Sequence, residues 1–223
     1  MCGRYTLAAD LAVLLARFDV DVAVWPHEPR YNIAPGQQVP AIVETASGTR
    51  RLGALRWGLV PSWANDPRIG SRLLNARAET AAAKPAFRDA LARRRCLIPA
   101  DGFYEWDKRG GGKQPLRFLP KDGGLFAMAG LYETWTSPDG AKLHTCTILT
   151  TAPNELVAPI HDRMPVILSP EAESLWLDRR VTDASALAPL LKPYPGERMT
   201  AYPVNPSVGR VGFDDPSCLQ PLA

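Results

Sequence analysis

No stretch of the chain stays apolar for the ~18 residues that a membrane-crossing helix needs. The nearest approach, Leu11-Ala12-Val13-Leu14-Leu15-Ala16, is short and follows Asp10. It lacks a basic leading region and a cleavage site, so no secretory signal is expected and the protein is expected to be cytoplasmic. Metal-binding patterns are also missing. There are three histidines (His27, His144, His161) and four cysteines (Cys2, Cys96, Cys146, Cys218), all far apart and with no CxxC pair, so neither a metal nor any other cofactor is expected. A reducing compartment argues against disulfides. Cys96 and Cys146 sit in the apolar runs CLIPA and TCTIL and read as small buried hydrophobes. Internal repeats and long linkers are lacking too. One domain over 1–223 and a monomer are the expectation.

What is present is a charge imbalance. The net charge is only +3, yet residues 50–95 hold eleven basic groups against three acidic ones, while the segments on either side are net acidic. Arginine supplies 20 of the 26 basic residues. That suits bidentate phosphate contacts, although a GC-rich genome would produce the same excess and a basic block can simply be a solvated face. The same block contains Arg56-Trp57-Gly58-Leu59-Val60-Pro61-Ser62-Trp63. Exposed rings among basic groups are what a single nucleic-acid strand needs, because bases stack while phosphates are neutralised. Trp57 is assigned to the core and Trp63 to the surface.

Strands outnumber helices. They are read near 2–6, 39–44, 51–57, 96–99, 102–107, 115–119, 124–133, 144–150, 165–168 and 200–203, with hairpin turns at Lys121-Asp122-Gly123-Gly124 and Ser137-Pro138-Asp139-Gly140. Helices are expected over 8–18, 84–94, from Ser169-Pro170-Glu171 onward, and over 183–191. This pattern predicts an α+β domain built on a curved, mostly antiparallel sheet, barrel-like, with a few flanking helices.

Three polar placements do not follow from such a scaffold. Phe103-Tyr104-Glu105-Trp106 puts a carboxylate in an aromatic strand, on the face of Phe103 and opposite Tyr104 and Trp106. Burial there raises a carboxyl pKa toward the general acid–base range, unless an arginine pairs with it. Asn75 and Arg77 share a face if their segment is extended; Asn75 either orients a nucleophile or caps the helix that follows. His161 and Arg163 precede a strand, where a single histidine is as readily structural as catalytic.

Six segments carry a family resemblance: MCGRY at the start, RYNIAPGQ at 30–37, RWGLVPSW at 56–63, LLNARAET at 73–80, DGFYEW at 101–106 and HDRMPVIL at 161–168. Together, and in this order over about 2–210, they resemble the SRAP family, the SOS-response-associated peptidases or abasic-site processing proteins. The resemblance implies a mixed α/β fold around a curved antiparallel sheet, single-stranded DNA containing abasic sites as partner, and association with the nucleoid during DNA work. It implies that Met1 is removed, that Cys2 is the nucleophile, that Asn75 positions it, and that Glu105 and His161 move protons. Arg4, Asn32, Pro35, Trp63, Leu73, Arg77 and Arg163 would line the DNA path.

The chemistry of a terminal cysteine agrees with that role. An α-amine is neutral in roughly 10–15% of molecules at pH 7, against well under ~0.1% for lysine, so it attacks an aldehyde far more readily. The adjacent thiol, about 3% thiolate at its reference pKa, then closes a five-membered thiazolidine on the imine carbon. A lyase side reaction would follow if Glu105 took a proton next to the imine. Two other readings stand beside it. A cysteine peptidase or N-terminal-nucleophile hydrolase that also removes its own Met1 uses the same residues, whereas in a non-covalent single-strand binder Cys2 is incidental, the basic block and Trp63 stay useful, and Glu105 and Asn75 lack purpose.

Overall fold

The computed structural model describes residues 2–222. In chain order it contains β1 (Tyr5–Leu7), α1 (Leu11–Arg17), β2 (Val22–Ala23), β3 (Arg30–Ile33), β4 (Gln38–Glu44), β5 (Arg50–Trp57), β6 (Asn75–Arg77), α2 (Ala78–Ala81) and α3 (Arg88–Arg93). There follow β7 (Arg95–Ala100), β8 (Gly102–Asp107), β9 (Gln114–Pro120), β10 (Phe126–Thr136), β11 (Lys142–Thr151), β12 (Met164–Pro165), β13 (Ile167–Leu168), α4 (Pro170–Leu177), α5 (Ala184–Leu187) and β14 (Met199–Pro203).

The expected curved sheet closes on itself. Strands β11, β10, β7, β4 and β5 pair antiparallel in that order. A parallel seam, with Thr145 opposite Arg56 and Cys146 opposite Trp57, joins β5 back to β11 and completes a barrel. Closure removes the exposed edges that an open sheet would leave. A second antiparallel sheet, in the order β14-β9-β8-β1-β3, packs onto it. One core serves both: Tyr5, Leu7, Phe103 and Phe118 from the second sheet join Ile42, Leu97, Ile98, Met128 and Ile148 of the barrel.

Alternation along β8 works as the sequence predicts. Phe103 enters the main core, while Tyr104 and Trp106 face a separate cluster with Val204, Val208 and Cys218 from the C-terminal segment. Helices are shorter than expected. Asp10 accepts the Val13 N–H at 2.9 Å and starts α1 later than residue 8. The helix expected over 84–94 is confined to Arg88–Arg93, and that over 183–191 becomes α5 followed by a 3₁₀ turn containing Pro189.

One of the two hairpin turns is corrected. Ser137–Gly140 does join paired strands, with Thr136 opposite Lys142, and Gly140 takes the positive φ (88°) that the tight turn requires. The segment 121–124 connects β9 to β10, but those strands lie in different sheets, so it is a crossover. Turn chemistry specifies a local reversal and does not decide which strands pair afterwards. The short strands β2, β3 and β6 were not expected; each is two to four residues long and carries too little periodicity to register.

Candidate active site

Cys2 reaches the core because β1 is the middle strand between β3 and β8. Tyr5 lies opposite Phe103, and the Tyr104 N–H donates to the Arg4 carbonyl at 3.0 Å, so the antiparallel register carries residues 2–4 along Glu105. Cys2 is fully buried. Burial pushes its thiol pKa well up, and the Glu105 charge pushes it further. The thiolate fraction inferred from the reference pKa is therefore corrected downward: in this environment the thiol is protonated.

Glu105 is 4% exposed. Burial raises its carboxyl pKa to about 7, with Lys108 acting against the shift and Asp162 adding to it. At neutral pH such a group is close to half ionised, able both to take and to give a proton. Arg117, opposite Tyr104 on β9, pairs with Asp101 at 3.0 Å.

His161 sits in the loop between β11 and β12. Its Nδ1 accepts the Arg163 N–H at 3.0 Å, and burial lowers its pKa. Glu105 and His161 both feel the charges of Asp162 and Lys108, so the histidine loop and the end of β8 lie within electrostatic reach of each other.

Asn75 and Arg77 stand on the same face of β6, with Ala76 buried behind them. Parallel pairing to β11, with Ile148 opposite Asn75 and Thr150 opposite Arg77, holds this short strand in place, and the Asn75 amide approaches the Ile148 carbonyl at 3.5 Å. Asn75, Arg77, Leu73 and Trp63 line one groove of about 600 Å³ together with Arg72 and Lys84. Trp63 is 59% exposed there, whereas Trp57 is 1% exposed and donates from its indole to the Leu74 carbonyl. Pro35 lies in a second cleft, of about 390 Å³, with Arg56 and Arg68.

The remaining expected DNA-path residues make hydrogen bonds within the protein. Arg4 donates to Asn32 Oδ1 at 3.1 Å and to the carbonyls of Val208 and Gly209. Asn32 is buried and donates from Nδ2 to the carbonyls of Val208, Arg210 and Phe213. Arg163 is clamped by Glu79 and Thr150. The basic block located this region in the sequence but did not single out Arg72 and Lys84, and no sequence signal pairs Glu79 with Arg163. Met1, whose removal was expected, lies outside the described residues. Among the described residues, no group of three or more His, Cys, Asp or Glu side chains is arranged to hold a metal ion.

The fold and site together define a barrel protein with a buried thiol and a buried carboxylate that act on each other's charge, and with a basic, tryptophan-edged groove. The chain belongs to the SOS response associated peptidase (SRAP) family, whose model matches residues 1–211. It is 46% identical over 223 residues to the abasic site processing protein YoqW of Bacillus subtilis, covering 99% of each chain. It is 33% identical to the abasic site processing protein YedK of Escherichia coli, covering 100% of both. The chicken protein HMCES, also named an abasic site processing protein, is 34% identical over 88% of this chain and 67% of its own length. Among solved structures, a Bacteroides thetaiotaomicron protein superposes with a TM-score of 0.90 at 28% identity, over 100% of both chains. A Bordetella bronchiseptica protein gives 0.80 at 28% identity, over 92% of this chain and 100% of its own.

Proposed function

We propose that this protein processes abasic sites in single-stranded DNA by capturing them covalently on Cys2 after Met1 is removed. In this reading the α-amine of Cys2 adds to the aldehyde carbon of the ring-opened sugar and water leaves, giving an imine. The thiol then adds across the C=N bond, its sulfur to carbon and its proton to nitrogen, and closes a thiazolidine. The overall change is aldehyde plus aminothiol to thiazolidine plus water, with no external oxidant or reductant.

The observation that carries the reading is the convergence of a buried cysteine with a carboxyl group poised near 7 and a histidine loop. Burial keeps the thiol protonated, so the sulfur needs a partner to relieve it of its proton as it attacks. Glu105, about half ionised at neutral pH, is suited to that transfer and to opening the sugar hemiacetal. A further proton taken beside the imine carbon would produce strand cleavage as a lyase side reaction. His161 is assigned the proton delivered to the departing hydroxyl, and Asn75 the orientation of the Cys2 terminus. Trp63 would stack on a base, and Arg77 would meet a phosphate. Pro35 and Leu73 would shape the path, while Arg4, Asn32 and Arg163 would form its wall. Self-removal of Met1 by the same thiol fits the peptidase in the family's name.

An oligonucleotide carrying one abasic site tests this. The wild-type protein is expected to give an adduct that survives heating. Cys2→Ser should leave only a labile imine that borohydride traps. Hydrolysis of peptides with no DNA adduct would replace this reading with a cysteine peptidase.

A further inference from the structure

The Arg163 guanidinium is held through both of its terminal nitrogens. Nη1 and Nη2 donate to Oε1 and Oε2 of Glu79, both at 2.8 Å, and Nη2 also donates to the Thr150 carbonyl at 2.5 Å. A two-pronged contact of this kind fixes orientation as well as distance. Glu79 lies in the first turn of α2, directly after the strand that carries Asn75 and Arg77. The clamp therefore spans two site-bearing segments 84 positions apart.

What it holds is next to His161. Three groups compete for His161 Nδ1: the Arg163 N–H at 3.0 Å, the Arg163 carbonyl at 3.1 Å and Asp162 Oδ1 at 3.1 Å. The N–H requires a bare, accepting nitrogen, whereas the two oxygens require a protonated one. A neutral imidazole satisfies only one side. The orientation of residue 163 thus bears on which nitrogen carries the proton, and hence on which atom can act on a substrate.

We propose that Glu79 is a positioning residue: by clamping Arg163 it keeps that residue's N–H on His161 Nδ1 and leaves the imidazole proton on Nε2, where it can be delivered. The link to catalysis rests on the proton-donor role assigned to His161 above; the effect on the ring does not. Lys108 and Asp162 also act on His161, and neither touches the clamp, so changing Glu79 leaves both in place. Half of the Glu79 side chain is exposed but Arg163 is only 13% exposed, so Glu79→Ala leaves that guanidinium with Thr150 as its remaining partner, and melting is measured for each variant.

The test is ¹⁵N NMR of histidine-labelled protein without DNA, above the His161 pKa, followed by adduct kinetics at saturating abasic oligonucleotide. Wild type should show His161 protonated at Nε2. Glu79→Ala should move it toward the Nδ1 form, with Glu79→Gln, which keeps one acceptor, in between. His27, whose Nε2 faces the Ala9 carbonyl, should stay unchanged. Adduct formation by Glu79→Ala should slow by about tenfold, part of what one general acid supplies, with affinity for intact single strands within a few-fold. An unaltered His161 tautomer in Glu79→Ala or Glu79→Gln with native melting would overturn the proposal. So would a shifted tautomer with an unchanged rate. A shifted tautomer in a protein whose wild type forms no adduct would leave Glu79's hold on His161 intact and refute the capture reading instead.

Discussion

Asn32 donates through Nδ2 to the carbonyl of Phe213 at 2.7 Å, tying the RYNIAP strand to a segment beyond residue 211, where the family match ends. Asp214 adds to the tie. It accepts the main-chain N–H groups of Tyr31 and Asn32 at 2.6 and 2.9 Å and pairs with Arg30. Asp214→Ala would leave both N–H groups without their acceptor, so a loss of about 2–4 kcal/mol in urea denaturation is expected. Truncation after Val211 should cost more. A truncated chain with wild-type stability would show that this segment only rests on the domain.

Gly130 on β10 lies opposite Cys96 on β7 in the barrel. A β-carbon there would come within 2.7 Å of Cys96 Sγ and 2.9 Å of Ile98 Cγ1. Gly130→Ala should destabilise by about 1–3 kcal/mol, and Cys96→Ala should relieve part of that cost, so the two changes should be non-additive. Additive losses in the double variant would mean that the clash lies elsewhere.

Glu105 makes stability depend on pH in a specific sense. Its folded pKa of about 7 stands above the reference value of 4.5, so the folded state binds the proton more tightly. The resulting contribution is fully present below about pH 4.5 and is lost as pH rises through 7, amounting to roughly 3 kcal/mol. Glu105→Gln should flatten this fall in a denaturation series from pH 4.5 to 8. A variant with the same slope as wild type would assign the titration to another group.

How far this site could be read from the sequence depended on distance along the chain. The alternation in Phe103-Tyr104-Glu105-Trp106 gave the facing of each side chain, because a strand has a fixed period. The basic block and the two tryptophans were legible as composition, and Trp63 indeed lies exposed while Trp57 is buried. The reach of the Cys2 thiol was not: a reference pKa knows nothing of burial. Nor was the Glu79–Arg163 clamp, since no local rule links residues so far apart. The crossover at 121–124 was misread for the same reason, as strand pairing is decided by the whole barrel.

In the proposed reading the groove makes two separable contributions to DNA binding. Arg77→Ala should weaken binding and reduce the salt slope by about 0.7, the share of one phosphate contact on a single strand. Trp63→Ala should cost about 1–3 kcal/mol of stacking and leave the slope unchanged. These are read from titrations at several salt concentrations. An unaltered slope for Arg77→Ala would remove it from the phosphate path.

Mass spectrometry of the protein–oligonucleotide adduct tests the central claim most directly. The predicted adduct has the mass of the chain without Met1 plus the abasic strand minus one water, and its modified peptide begins at Cys2. An adduct that retains Met1, or one carried by a lysine side chain, would contradict the account.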